Sequence, residues 1–543
     1  MHSLRKITGS FFSLGLLAVA AAGTGCDDGG ATAASGGDGG TGATPSTGGS
    51  GAQGGSGGSG AQGGTGGQGG SGGGPTGPAT YGNGSRLRAR VLDAGGGAAQ
   101  FVSWFDTQIQ QQCWMAKHED GSTRCLPIGP SIAYRDAACT DPVAYTAPCW
   151  PEPSFLSEQV SQAELGCVSA SGEQASIGQD RTYRVRSVGA PADMPSTLYF
   201  DYSGCSPFQP PAEATIHEIG AVEPAGSFVA AAYEEEPVAG GLVLQREVAD
   251  DGAWVARGLK NESGGFCGAV KLGDEHRCVP GFSALLDTKY SDASCTEKVA
   301  SYASVKQGCP APAYIPSYVQ DPSGCGTQLE LLSVGPELEP AMVYTYSPDC
   351  KPLAPADPSP VYYAPGAPLD PATFPPLAVG LRGSERLRIE GLEAVDGTWL
   401  SHGERFVDTE IGGGVTCEPF YFPDGAYRCV PQSYVNASPI YHADDACAVP
   451  LHLVQKPKEG CAPLPPPTFQ VTYGDGSTFC SEVPNNGTVG EIRPFVAHAG
   501  PIYSSIGPGC QMIGPELGTV YDFYVLGEPV PFETFPALEL HVE

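Results

Sequence analysis

Basic residues are scarce in this sequence. Of its 543 residues, 28 are Lys or Arg and 59 are Asp or Glu, which gives a formal net charge of −31 at pH 7. A nucleic-acid-binding protein needs clustered Lys and Arg to displace counterions from phosphates. The charge balance therefore argues against a DNA or RNA partner and predicts a solvated acidic surface, which favours solubility.

Motifs of the common enzyme classes are also lacking. The sequence contains no G-x-S-x-G nucleophile elbow and no P-loop. His217-Glu218 lacks the second histidine of an HExxH metalloprotease helix and falls in a stretch that favours a strand. The acidic, Gly-containing stretches at 250–254 and 473–478 do not match a calcium loop, and we interpret both as hairpin turns. We assign no catalytic, cofactor-binding or metal-binding residue and expect no cofactor.

Long apolar runs are absent after the N-terminus, where one short run follows Arg5 and Lys6. The run is too short for a comfortable membrane span and ends in small residues, as export signals do. It leads into Gly-Thr-Gly-Cys, so Cys26 stands where a bacterial lipobox has its lipid-modified cysteine. Gly23 replaces the leucine usual in that motif, which leaves ordinary cleavage and secretion as the alternative. Residues 1–26 are predicted to be a signal peptide with a lipobox-like end.

A low-complexity segment follows the signal. Residues 27–80 consist almost wholly of Gly, Ser, Thr, Ala and Gln. Such a segment has few side chains to bury, and it is predicted to be a disordered tether. A flexible chain of this length has a root-mean-square span of roughly 40 Å.

Cysteine is plentiful after residue 100. The chain has 19 Cys, and all except Cys26 fall into three sets of six, with the first members about 150 residues apart. An even set in an exported chain predicts disulfides, and the odd cysteine is then the lipid site. The disulfide candidates are Cys113, Cys125, Cys139, Cys149, Cys167 and Cys205; Cys267, Cys278, Cys295, Cys309, Cys325 and Cys350; and Cys417, Cys429, Cys447, Cys461, Cys480 and Cys510.

A metal site is the competing interpretation of the cysteines. Zinc sites use cysteines two to four residues apart, whereas no two here lie closer than ten. Six cysteines allow fifteen pairings, and sequence alone does not choose among them. We expect local pairing: first with second, third with fourth, and fifth with sixth. The first pair flanks Asp120-Gly121 or Asp424-Gly425, which are hairpin turn signals.

Other residues recur with the cysteines. Each set has an Arg before the second cysteine, a Pro two residues after it, and an Asp three residues before the third. We interpret the Arg and Asp as structural: each Arg either pairs with the recurring Asp, as Arg428 with Asp444, or binds loop carbonyls, and the alternative is three ligand or ion sites. The recurring Arg and Asp residues are Arg124, Arg277 and Arg428, and Asp136, Asp292 and Asp444.

Two longer similarities frame the sets. Each set is followed by a Gly and, eight residues later, a Phe. The strings "RLRARVLDA" and "RLRIEGLEA" open the first and third units and are followed by "FDT" and "FVDT", whereas the second unit diverges at its start. The Gly and Phe positions are Gly220 and Phe228, Gly366 and Phe374, and Gly527 and Phe535.

Short β-branched and aromatic runs, separated by Gly, Pro, Asn and Asp, predict an all-β fold. We predict three disulfide-rich repeats: repeat 1 at 81–238, repeat 2 at 239–381 and repeat 3 at 382–543. Weaker similarity within each repeat suggests six half-units in a six-bladed β-propeller, whose first and last strands could pair and close a ring. The alternative is three tandem β modules.

The whole pattern resembles uncharacterised cysteine-rich repeat lipoproteins of myxobacteria. The resemblance rests on the signal with Cys26, the Gly/Ser tether, and repeats carrying R-C-[LV]-P and Y-x-D-A-x-C. It implies the bacterial cell envelope, at the outer membrane or cell surface, with secretion as the alternative. It implies no activity and no catalytic residues.

These observations together favour a non-enzymatic role in binding, adhesion or envelope structure. The residues that recur are scaffold types, whereas an enzyme more often shows a non-repeated set of His, Asp and Ser. The expected partners are a membrane, through the N-terminal lipid, and a glycan or protein ligand. A carbohydrate-active enzyme working at a propeller face is the alternative.

Overall fold

The protein is described here by a computed structural model. The structure describes residues 80–543 except 147–151, 169–175, 202–203, 212, 263–264, 281–283, 303–311, 321–324, 326, 341, 347–348, 354–360, 384, 412–413, 432, 434, 474–488 and 507–508. The predicted signal peptide, with Cys26, and the predicted tether up to residue 79 lie outside this part. Within it the fold is all-β, as predicted. A search of this part of the chain for membrane-spanning helices found none.

The strands are numbered in chain order. Up to residue 238 they are β1 (Tyr81–Gly82), β2 (Leu87–Asp93), β3 (Ala99–Asp106), β4 (Gln111–His118), β5 (Thr123–Pro127), β6 (Ser131–Tyr134), β7 (Pro142–Thr146), β8 (Phe155–Val168), β9 (Ser176–Ala192), β10 (Leu198–Phe200), β11 (Ser206–Phe208), β12 (Thr215–Val222) and β13 (Ala230–Val238).

From residue 239 they are β14 (Leu242–Ala249), β15 (Trp254–Asn261), β16 (Cys267–Leu272), β17 (Glu275–Pro280), β18 (Leu285–Tyr290), β19 (Lys298–Tyr302), β20 (Ile315–Gln320), β21 (Thr327–Leu338), β22 (Val343–Tyr346), β23 (Cys350–Leu353), β24 (Val361–Pro368) and β25 (Pro376–Arg382).

The remaining strands are β26 (Leu387–Glu393), β27 (Trp399–Asp408), β28 (Val415–Tyr421), β29 (Tyr427–Val430), β30 (Ala437–His442), β31 (Pro450–Gln455), β32 (Phe469–Tyr473), β33 (Val489–Ala497), β34 (Ile502–Ser504), β35 (Gln511–Ile513), β36 (Tyr521–Leu526) and β37 (Ala537–Val542). Short 3-10 turns lie at Ala225–Ser227, Pro371–Thr373, Pro515–Thr519 and Phe532–Thr534.

Local sequence explains the hairpins. β4 alternates buried and half-buried side chains along most of its length, as a strand over a core does. The turn between β4 and β5 uses Gly121 at φ 87°, and Gly425 has φ 83° in the turn between β28 and β29. Glycine adopts this left-handed backbone without the steric cost that a side chain brings. The predicted Asp-Gly turns are therefore found where the sequence placed them.

Strand pairings run in a circuit. From β2 the antiparallel pairs follow through β3, β4 and β5 to β13, β14 and β15. A bridge between Lys260 and Phe266 leads to β16, then to β17, β25, β26, β27, β28 and β29. β37 pairs with both β29 and β2, so the last strand meets the first long one.

Three seven-stranded arrangements of one order accompany this circuit. They are β8-β9-β12-β7-β6-β10-β11, β20-β21-β24-β19-β18-β22-β23 and β32-β33-β36-β31-β30-β34-β35. The first is continuous with the circuit because Lys117 of β4 pairs in parallel with Thr182 of β9. Each contains the third and sixth cysteine of its set in the connections beside its strands or at a strand end.

A closed six-bladed propeller is not found in the described part of the chain. Propeller blades are separate sheets arranged radially. Here the junction strands β13, β25 and β37 instead hydrogen-bond to strands on both sides, so the sheet continues from one repeat to the next.

The cores are shared across the boundaries of the predicted repeats. The core around Trp104 includes Ala249 and Val255 from repeat 2. The core around Leu259 includes Leu392 from repeat 3, and that around Phe406 includes Leu92 from repeat 1. Three independent tandem modules do not describe this arrangement, because each of these cores is completed by residues of the next repeat.

Candidate functional site

In the part of the chain that the structure describes, seven disulfides join fourteen of the eighteen candidate cysteines. The first cysteine of each set pairs with the second, across the hairpins β4–β5, β16–β17 and β28–β29. These bonds are Cys113–Cys125, Cys267–Cys278 and Cys417–Cys429. All six of these cysteines are buried in cores that two neighbouring predicted repeats share.

The expected pairing of third with fourth cysteine is wrong, and so is that of fifth with sixth. The third cysteine pairs with the sixth in every set, because the strand before the third cysteine hydrogen-bonds to the hairpin that carries the sixth. These bonds are Cys139–Cys205, Cys295–Cys350 and Cys447–Cys510.

One disulfide joins two repeats. Cys325, the fifth cysteine of its set, bonds to Cys461, the fourth of the next, across a sequence separation of 136 residues. Sequence counting missed this bond because it assumed that each set pairs within itself. The side chains of the other four candidates, Cys149, Cys167, Cys309 and Cys480, lie outside the described part of the chain.

The recurring Arg ties the hairpin to the junction strand. The guanidinium Nη1 of Arg428 donates to the Phe535 carbonyl oxygen at 3.3 Å. The corresponding distances are 2.8 Å from Arg124 to Phe228 and 3.1 Å from Arg277 to Phe374. Of the two structural interpretations, binding to a loop carbonyl holds, and the acceptor belongs to the recurring Phe.

The recurring Asp is not the partner of that Arg. Arg428 pairs instead with Asp424, four residues before it, at 2.9 Å. Asp444 accepts the backbone N–H groups of Ala448 and Val449 at 2.9 and 2.7 Å. It thereby closes a loop that holds Cys447 in the left-handed region, at φ 53°.

The same loop occurs around the other two recurring Asp residues, where a threonine hydroxyl is an added donor. Thr140 Oγ1 donates to Asp136 at 2.6 Å, and Thr296 Oγ1 donates to Asp292 at 2.7 Å. The Thr140 bond lowers the pKa of Asp136 and the Glu297 N–H lowers that of Asp292, just as the Val449 N–H lowers the pKa of Asp444. Carboxylates with these donors stay ionised and structural.

Two buried ion pairs were missed by sequence reasoning. Arg86 Nε donates to Asp106 at 2.7 Å, and Arg386 Nε donates to Asp408 at 2.9 Å. Both aspartate side chains are fully buried. The sequence does contain a sign of these pairs, because all four residues belong to the strings shared by repeats 1 and 3.

Repeat 2 carries a different buried pair on the corresponding strands. Arg257 Nε donates to Glu247 at 2.7 Å, and the Glu247 side chain is 1% exposed. Burial raises the pKa of Glu247, although Arg257 opposes the shift. A raised pKa in an enclosed carboxyl marks functional sites only when the group faces a cleft. Glu247 lies in β14, directly across from Tyr233 of β13, and does not line the pocket described below.

His217 and Glu218 lie in β12, in the strand that was predicted for them. Glu218 is paired with Arg135 at 2.6 Å, and the hydrogen bonds from Arg135 lower the pKa of Glu218. This carboxylate is therefore held by an ion pair on the surface. In the described part of the chain, no group of three or more His, Cys, Asp or Glu side chains could hold a metal ion.

One open pocket of about 540 Å³ lies where repeats 2 and 3 meet. It is bounded by the tip of the β16–β17 hairpin, the start of β25 and the end of β26. Acidic side chains line it together with apolar ones, among them Asp274, Glu275, Glu393, Val379 and Val395. The arrangement presents negative charge, with His276 beside it, next to an apolar surface.

A family model described as a family of unknown function (DUF7481) matches residues 238–513, just over half of the chain. Nothing matches in the comparisons with curated proteins and with solved structures. These comparisons do not support the resemblance to myxobacterial lipoproteins, which stays a prediction from the sequence.

Proposed function

The chain belongs to the family of unknown function DUF7481, and from this premise we propose that it is an exported, lipid-anchored cell-envelope protein with a non-enzymatic binding, adhesion or structural role. One observation carries the proposal. The recurring Cys, Arg and Asp residues that the structure describes have architectural contacts: the cysteines form disulfides, the Arg binds a Phe carbonyl, and the Asp closes a loop.

The seven disulfides support an oxidising, extracytoplasmic compartment, since the cytosol keeps thiols reduced. Intact mass spectrometry after alkylation in denaturant, with and without prior reduction, tests this on the protein purified from its own envelope. We expect all 18 candidate cysteines to be protected before reduction. Free thiols among them would contradict the compartment assignment.

The lipid anchor rests on Cys26 and the signal before it. A Cys26→Ala variant, produced in a bacterium that processes lipoproteins, is expected to move from the membrane to the soluble fraction. The control is Gly23→Leu, which restores the usual lipobox residue and should stay membrane-bound. Retention of the Cys26→Ala protein in the membrane would refute the anchor and leave the fold-based proposals untouched.

We further propose that the three repeats are copies of one unit linked head to tail. The order of the cysteines then predicts that Cys167 pairs with Cys309 and Cys480 with Cys149, as Cys325 pairs with Cys461. A peptide map of the unreduced protein tests this. Recovery of linked peptides with those two pairings supports the cyclic arrangement, and any other pairing of the four contradicts it.

The binding role is tested with a glycan array alongside turnover assays on polysaccharides. Saturable glycan binding without turnover supports a glycan-binding role. Multiple turnover would favour the carbohydrate-active enzyme and overturn the proposal. A result negative in both assays narrows the proposal to protein ligands and envelope structure.

A further inference from the structure

One junction strand leaves an edge open in the described part of the chain. β25 pairs with β26 along residues 378–382. On its other side it pairs with β17 only at Pro376 and Leu377. Because β17 begins at Glu275, no described strand lies beside β25 beyond that point.

The register shows which backbone groups face this edge. The Cys278 N–H donates to the Pro375 carbonyl, so odd-numbered residues of β25 direct their N–H and C=O towards the β17 side. Val379 and Leu381 therefore direct two donors and two acceptors outward. Their side chains are 39% and 44% exposed. This is an apolar edge of the kind that accepts an added strand.

The corresponding edge of β13 is protected. β13 pairs with β5 only at Ala230 and Ala231, and the Cys125 N–H donates to Val229. By the same register, Tyr233, Glu235 and Pro237 face its open side. A charge and a proline on an edge strand oppose pairing with another chain. The difference shows that the open side of β25 lacks a protection that a matched strand of the same chain has.

The third junction strand is intermediate. In β37 the Pro536 carbonyl accepts the Cys429 N–H, so Leu540 and Val542 face the corresponding side. Leu540, however, packs against the core around Phe406. β25 thus exposes both apolar side chains of its open edge, whereas in β37 Val542 is exposed and Leu540 is half-buried.

Charge at the start of this edge indicates the partner. The acidic pocket described above lies there, so a strand continuing the line of β17 would end against Asp274, Glu275 and Glu393. Glu275 already pairs with Arg277, and the chain as a whole carries a charge of −31. A basic residue at that end of an added strand complements the pocket.

We propose that residues 379–381 form a docking edge for an extended segment of another protein, which adds antiparallel to β25 and places basic side chains in the pocket. The proposal deepens the binding role above and rests on it. Affinity comes from the backbone ladder, and selectivity comes from the charges at one end.

The probe is a fluorescein-labelled octapeptide, Thr-Val-Thr-Val-Thr-Val-Lys-Lys, acetylated and amidated, with a Glu-Glu version as its charge-reversed match. Binding is measured by fluorescence anisotropy. We expect the Lys-Lys peptide to bind about tenfold more tightly than the Glu-Glu peptide. Leu381→Pro removes an edge donor without touching the ladder to β26 and should weaken binding about tenfold.

Glu235→Pro, at the matched position of β13, is the control and should leave binding unchanged. Should Leu381→Pro not fold, Leu381→Lys keeps the backbone intact and blocks the edge by charge. Equal binding to wild type and both Leu381 variants, or preference for the acidic peptide, would overturn the proposal. Dimerisation that Leu381→Pro abolishes, without peptide binding, would assign the edge to a second copy and also overturn it. None of these outcomes bears on the glycan and turnover assays.

Discussion

Repeats 1 and 3 differ from repeat 2 in where they bury charge. Repeats 1 and 3 each bury an Arg–Asp pair at the start of their leading strands, as Arg386 and Asp408 do in repeat 3. Repeat 2 has Gly241 and Asn261 at the corresponding positions, since Leu242 pairs with Asn261 as Leu387 pairs with Asp408.

Five residues after Leu242 in the same strand, repeat 2 buries Glu247 where repeats 1 and 3 bury leucine. Leu92 and Leu392 fill that position in cores shared between repeats. Arg257, the partner of Glu247, occupies the bulge position held by Val102 in repeat 1. The same pair of strands therefore forms with an ion pair at either position. Neither ion pair therefore determines the fold, which agrees with the small net stabilisation that buried ion pairs provide.

The largest effect is expected from breaking one pair without removing both partners. Arg386→Met leaves Asp408 buried without its cation and should lower the free energy of unfolding by about 3–5 kcal/mol. Urea unfolding under non-reducing conditions measures it. The control is Arg184→Met, which breaks the solvent-screened pair with Glu119 and should cost far less stability than Arg386→Met. Equal losses in the two variants would show that burial is not the cause.

A smaller effect of opposite sign is expected when repeat 2 is given the residues of repeat 1. The double substitution Glu247→Leu with Arg257→Val removes both charges and supplies apolar side chains. It should be neutral or stabilising by about 1–4 kcal/mol. Arg257→Val alone is the matched control and should destabilise. A double variant that is less stable than Arg257→Val alone would show that the Glu247–Arg257 pair is needed for stability at this position.

Wild type and this double variant should also differ in how their stability depends on pH. The pKa of Glu247 is raised in the folded protein by burial. Its contribution to stability is therefore fully present below the unfolded pKa and is lost as the pH rises through the folded pKa, by at most about 1.4 kcal/mol per pH unit. Wild type should lose stability relative to the double variant as the pH rises above about 4.5. A pH-independent difference in unfolding free energy would contradict this.

The smallest effect concerns the Asp loops, which all three repeats share. The pKa of Asp444 is lowered by the Val449 N–H. Its contribution is thus present above the unfolded pKa and lost as the pH falls through the folded pKa. Asp444→Asn should make the melting temperature slightly less sensitive to acid between pH 5 and about 2 than in wild type. Asp445→Asn, which changes a neighbouring carboxylate, is the control, and an identical response would contradict the assignment.

Much of the local structure could be predicted from the sequence, and less of the long-range structure. The turns at Gly121 and Gly425 follow from steric rules that act within a few residues. The all-β class follows from composition. The third-to-sixth disulfides could not be predicted, because Cys139 and Cys205 meet only through pairing of strands that are distant in sequence.

For the candidate site too, local contacts could be predicted from the sequence and long-range ones could not. The acceptor of Arg428 was among the sequence alternatives, but its identity as the Phe535 carbonyl depends on β37 returning beside β29. The open edge of β25 was not foreseeable either. Its exposure follows from β17 being too short to cover it, which no single stretch of sequence records.

The circuit of strand pairings has a consequence for how the protein opens. In a linear array of repeats each end unit has one neighbour, so unfolding starts by fraying there. Here β2 and β37 pair, and Tyr81 donates to Glu543 at 2.8 Å, so each unit has two neighbours. Removing any one unit then breaks two junctions at once. Amide hydrogen exchange should accordingly show one shared opening for the junction strands instead of a gradient of protection along the chain.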